Sequence, residues 1–146
     1  MPFTPKNITD SSFSTGKVLK MPLTAEDGLT LKEGETARLK YFTVIGQDIN
    51  HGMIGSLLIN SNINVKVNRT REFVDAQYPL KKSDYVFLHH DSFLNCRQIF
   101  SLGKIKILRE AKEVGELTSR DRTLVIDYVK NSEAILMKQK KQYNLI

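Results

Sequence analysis

Residues 85–121 read YVFLHHDSFLNCRQIFSLGKIKILREAKEVGELTSRD, and this stretch holds His89, His90 and Cys96 together with the clearest helix start. Tyr85 to Leu88 is aromatic and β-branched, which predicts a buried strand. His89, His90, Asp91, Ser92, Asn95 and Cys96 then make a polar-leaning segment. From Arg97 to Leu102 polar and apolar residues alternate, as in a half-buried strand, and Lys104-Ile105-Lys106-Ile107 continues the alternation. Thr118-Ser119-Arg120-Asp121 has capping-box spacing with Asp in place of Glu, so Thr118 is expected to cap a helix with Leu124, Val125, Tyr128 and Val129 on its buried face. Asn131-Ser132 is a candidate interruption of this helix, and a Lys-rich helical segment is expected to continue over 133–142.

Upstream, 16–21 alternates and stops at Pro22, predicting a first strand. Residues 23–37 carry Gly28, Gly34 and five charges without a period, predicting a long loop. Residues 39–46 and 53–60 predict two more strands around a turn at 48–52. The second of these, MIGSLLIN, is almost wholly apolar and so central. The Asn-rich 61–68 reads as an irregular edge, and Pro79 excludes a central strand over 69–79. Residues 1–15 are rich in Ser, Thr, Pro and Asn and read as a flexible tail before a single domain over 16–146. Short strands without long crossovers, followed by a helix, predict a mostly antiparallel sheet rolled into a small barrel or sandwich.

Length and charge narrow the classes of function. The 146 residues suffice for one domain with a real core. No apolar run approaches the roughly 20 residues of a membrane helix, and no basic region precedes an apolar stretch at the N-terminus; both point to a cytoplasmic protein away from membranes. A lone cysteine and three scattered histidines provide neither an internal disulfide nor metal-ligand spacing, so no metal or other cofactor is expected. The net charge of +6 is concentrated between Arg38 and Lys106, where ten Lys/Arg meet five Asp/Glu. A basic sheet suggests a polyanionic partner.

Four segments, in order, resemble the PemK/MazF family of toxin endoribonucleases. Gly16-Lys17-Val18-Leu19-Lys20-Met21-Pro22 is similar to the family's opening strand, and Glu33 through Tyr41 to its glycine-bearing loop and second strand. Cys96-Arg97-Gln98-Ile99-Phe100-Ser101 is similar to its Asp-Gln-Ile-Arg-Thr segment. Val114-Gly115-Glu116-Leu117-Thr118 is similar to its turn into the last helix. The resemblance spans roughly 16–132. It implies an SH3-like antiparallel β-barrel with a C-terminal helix, cleavage of single-stranded RNA without metal, inhibition by an antitoxin protein, and a homodimer. The polar positions depart from the family: Lys40-Tyr41 stands at its Arg-Pro, Arg97 at its Asp, Asn95 at an Arg, and Ser101 at its Thr.

Metal-independent RNA cleavage needs a base, an acid and a group that stabilises the phosphorane. Lys40 or Arg38, with Arg97, would hold the scissile phosphate, and Ser101 would donate to a phosphate oxygen. His90, or its neighbour His89, and Asp91 are the acid–base candidates, since histidine titrates near neutrality. Consecutive histidines on a strand point to opposite faces, so only one of them would serve a given site. Asp91-Ser92 also reads as a turn, and His51, next to Gly52, as a solvated turn residue. Cys96 reads as a core residue. Lys66, Arg69 and Arg71 with Lys40, Lys104 and Lys106 would track an RNA backbone, and Tyr41, Phe73 and Tyr78 would stack bases or fill the core. A non-catalytic nucleic-acid-binding or protein-interaction module on the same barrel is the alternative.

Overall fold

A computed structural model describes residues 5–60 and 77–146. The strands are β1 (Lys6–Asn7), β2 (Lys17–Leu23), β3 (Arg38–Asp48), β4 (Met53–Asn60), β5 (Gln77–Leu80), β6 (Ser92–Asn95), β7 (Phe100–Gly103) and β8 (Lys112–Glu116). The α-helices are α1 (Lys104–Glu110), α2 (Ser119–Asn131) and α3 (Met137–Gln142). All strand pairings are antiparallel. The sheet order is β1-β8-β2-β3-β4-β6-β5, with β7 also on β4. β1 and β5 are its edges, and the sheet is open among the described residues.

β4 is central, as its unbroken apolar run predicts, because both of its faces are covered. Ile54 and Leu58 join Phe13, Leu19, Met21, Phe42, Leu102 and Ile107 in one buried cluster. Leu57 and Ile59 join Leu94, Val114, Val125, Val129 and Tyr143 in the other. The two prolines in strands sit where the ladder needs no donor. Pairing of β2 with β8 stops at Lys20, two residues before Pro22, and Pro79 lies on the edge strand β5.

Several expected elements are replaced. Tyr85, Phe87 and Leu88 are buried as expected but form a turn, because each side chain fills the core without its backbone joining a ladder. The strand on this side is β6, which starts inside the polar segment and pairs with β5 and the end of β4. Cys96 and Arg97 form a turn, so the strand expected from Arg97 begins at Phe100. Lys104 to Glu110 is a helix rather than a strand. Only Ile107 in it is buried, and its Lys, Leu, Arg and Glu are good helix formers. The segment expected as a tail packs from Lys6 onward: Lys6 and Asn7 pair with β8, and Phe13 is buried.

Helix α2 starts where the cap predicts, with the Asp121 N–H donating to Thr118 Oγ1 at 3.2 Å. Val125 and Val129 are fully buried; Tyr128 is half exposed, with its ring edge-on to Tyr78. Asp121 does not close the box back onto Thr118. Its carboxylate accepts the hydroxyls of Tyr78 and Tyr85, and Tyr85 in turn accepts the Thr118 N–H at 3.1 Å. The C-terminal helical segment is shorter than expected, since the chain breaks helix over 132–136 to bury Ile135. Beyond α3 the chain crosses the sheet above the cross-strand pair Gly46–Gly55. A Cβ on Gly55 would lie 2.8–2.9 Å from the Tyr143 ring, and one on Gly46 2.5 Å from the Tyr143 carbonyl oxygen. These glycines exist in the sheet because Tyr143 occupies their side-chain space.

Candidate nucleic-acid interface

Lys40 begins β3 on a half-buried site, and its Nζ donates to Asn60 Oδ1 at 2.6 Å. Asn60 ends β4, one position beyond the Tyr41–Ile59 pair, so the hairpin itself brings the two side chains together. Burial, and then the nearby charge of Arg38, lower the Lys40 pKa. Lys40 lines a groove of about 250 Å³ together with His89 and His90 of the bend and with Ser92. Tyr41 and Phe87 also line it, with ring centroids 6.2 Å apart.

The groove thus joins a cation on β3 to two histidines about 50 positions later, through the turn that buries Phe87 and Leu88. Both His89 and His90 line it, because they occupy a bend; the opposite-face geometry of a strand does not apply. The His90 carbonyl accepts from Ser92 Oγ at 3.0 Å, which holds the bend. Asp91 has the turn role: its carboxylate accepts the Lys82 N–H at 2.9 Å.

The other expected site residues are dispersed. Arg38 is held by Glu35, with Nη2 to Oε1 at 2.6 Å, and this contact keeps the Glu35 carboxyl down at about 2. Arg97 lies in the turn after β6, at the opposite end of that strand from Ser92, and its N–H donates to Asn95 Oδ1 at 3.0 Å. Ser101 opposes Gly55 on β4 and shares a hydrogen bond with the Tyr143 hydroxyl. Gly55 is five residues from Asn60, or about 17 Å along the strand, so Ser101 is remote from the Lys40 groove. Lys104 starts α1 on the other core cluster, its Nζ 5.0 Å from the centre of the Phe13 ring, and Lys106 pairs with Asp27. Lys66, Arg69, Arg71 and Phe73 lie outside the described residues. Tyr78 is committed to Asp121.

Burial pushes the Cys96 thiol up to about 12, in keeping with its place in the core. Among the described residues, no cluster of three or more His, Cys, Asp or Glu has metal-binding geometry, and no helix is long and apolar enough to cross a membrane. Asn60 was the residue missed in the sequence. Its signal is the hairpin symmetry that places it beside Lys40, hidden among the neighbouring asparagines. No protein-family model matches this chain, and no curated protein matches it.

Proposed function

We propose that this protein is a PemK/MazF-like endoribonuclease of a toxin–antitoxin pair, cleaving single-stranded RNA without metal at the groove between Lys40 and the His89–His90 bend. The observation that carries the reading is the placing of a half-buried lysine, two histidines and two aromatic rings around one small groove. One histidine takes the 2′-hydroxyl proton. The 2′-oxygen attacks phosphorus to give a 2′,3′-cyclic phosphate, and the bond to the 5′-oxygen breaks as the other histidine protonates that oxygen. Lys40 neutralises charge on the phosphorane, and its partial burial strengthens that interaction. Tyr41 and Phe87 on the groove would offer a base a ring to stack on.

The SH3-like barrel belongs to the same proposal. Its support is the division of β4 between two partners, Met53–Ser56 with β7 and Ile59–Asn60 with β6, which is how a strongly bent sheet rolls. The reading carries with it a cytoplasmic homodimer and a neutralising antitoxin.

A second reading is a groove that binds nucleic acid without cutting it. It is favoured by the engagement of Arg38 with Glu35 and by the remoteness of Ser101, which leave fewer groups on the phosphate.

The test is incubation of the protein with a long single-stranded RNA in EDTA. Cleavage is expected from the wild type and from Arg97→Ala, and is expected to be lost in Lys40→Ala and in His89→Ala/His90→Ala. Salt-sensitive binding without products would select the second reading. Cleavage retained in both groove variants would refute the site.

A further inference from the structure

A different cleft lies at the other end of β3. It encloses about 820 Å³ between the β3–β4 turn and α3, with His51, Asn50, Lys138, Lys141 and Asn144 among its walls. His51 has been read above as a solvated turn residue, and its side chain is indeed 75% exposed. It is nonetheless fixed. Its Nδ1 donates to Asp48 Oδ2 at 2.8 Å, and its backbone N–H reaches Asp48 Oδ1 at 3.3 Å. Gln142 of α3 donates to the same Asp48 Oδ2 at 3.1 Å. Burial pushes the Asp48 carboxyl up, but the hydrogen bonds from Gln142 and His51 outweigh it and hold Asp48 ionised. A carboxylate on Nδ1 sets the tautomer and fixes the ring, which lines the cleft.

We infer that this cleft binds a phosphate group, gripped by Lys138, Lys141 and the Nε2–H of His51 as oriented by Asp48. The lysines supply charge that no carboxylate on the cleft other than Asp48 offsets, and Asp48 is already committed to His51 and Gln142. With Nδ1–H given to Asp48, Nε2 accepts in the neutral ring and donates only in the imidazolium, the form that an anion in the cleft favours. The volume exceeds that of a phosphate alone, and the amides of Asn50 and Asn144 add donors and acceptors suited to a base or sugar. The site is independent of the Lys40 groove. Asp48 is eight residues along β3 from Lys40, about 26 Å for an extended strand.

The experiment follows the His51 ring resonances by NMR during titration with inorganic phosphate, adenosine 5′-monophosphate and a short RNA lacking terminal phosphates. The His51 signals are expected to move, and the Lys138→Ala/Lys141→Ala protein to bind at least about tenfold more weakly. The tightest of the three ligands identifies free anion, mononucleotide or polynucleotide as the source. Movement of the His51 signals by inorganic phosphate or the mononucleotide reports this cleft whether or not the Lys40 groove cuts RNA, so failure of the proposed nuclease does not affect this result. No movement of the His51 signals with any ligand, or equal affinity in the double lysine variant, would overturn the inference.

Discussion

The Gly55→Ala substitution tests how the C-terminal chain is held to the sheet. The added methyl carbon would meet the Tyr143 ring at 2.8–2.9 Å, well inside contact distance. The ring cannot swing away cheaply, since Tyr143 is 1% exposed and its hydroxyl is tied to Ser101. Overpacking of this kind costs about 1–3 kcal/mol, and alanine recovers only about 0.5–1 kcal/mol through its lower backbone entropy in a strand. A net loss of about 1–2 kcal/mol is expected, a shift of about 3–8 °C in Tm for a chain of this size. Tyr143→Ala alone removes a buried ring and should cost about 3–5 kcal/mol. In the double variant the methyl has space, so Gly55→Ala should then be neutral or slightly stabilising, giving a coupling of about 1–3 kcal/mol. Urea unfolding followed by circular dichroism, on all four proteins of the cycle, measures this. Strictly additive costs would mean that Tyr143 does not sit over Gly55, and the argument for the two sheet glycines would fall.

Four further outcomes are expected. Tyr85→Phe removes the acceptor of the Thr118 N–H and a donor to Asp121, and should cost about 1–3 kcal/mol in the same unfolding assay. Burial first, then Asp121, raises the Tyr78 and Tyr85 pKa values above the unfolded value near 10. A raised folded pKa means that their contribution is complete below about pH 10 and is lost as pH climbs beyond it, so a Tyr78→Phe/Tyr85→Phe protein should show a flatter alkaline limb. Ser56 Oγ is buried without a hydrogen-bond partner among the described residues, so Ser56→Ala should be neutral or stabilise by up to about 1 kcal/mol, and a loss above that would reveal a bond to this hydroxyl. Cys96, 1% exposed with its thiol pushed up to about 12, should resist a thiol reagent at neutral pH in the native protein and react stoichiometrically in urea; fast native labelling would place it at the surface.

Local order was written plainly where a segment's own pattern outweighed its surroundings. MIGSLLIN could only be a strand with both faces covered, and Thr118-x-x-Asp121 could only start a helix, because period and capping act within a few residues. Antiparallel pairing and a C-terminal helix followed from the same signals. Segments with weak or mixed signals were settled by packing. Tyr85–Leu88 has strand composition but is spent filling the core from a turn, whereas Ser92–Asn95 looks like a polar turn yet completes the ladder beside β5. Lys104–Ile107 alternates over too few residues to outweigh its helix propensity. In the candidate site, the sequence by itself determined the residue types, a lysine at position 40 and histidines at 89 and 90. Only the tertiary structure decided that they share a groove, that Arg38 is drawn to Glu35, that Ser101 serves Tyr143, and that Asp48 orients His51. Side-chain meetings between distant elements depend on the crossing of strands and helices, and no local periodicity encodes that.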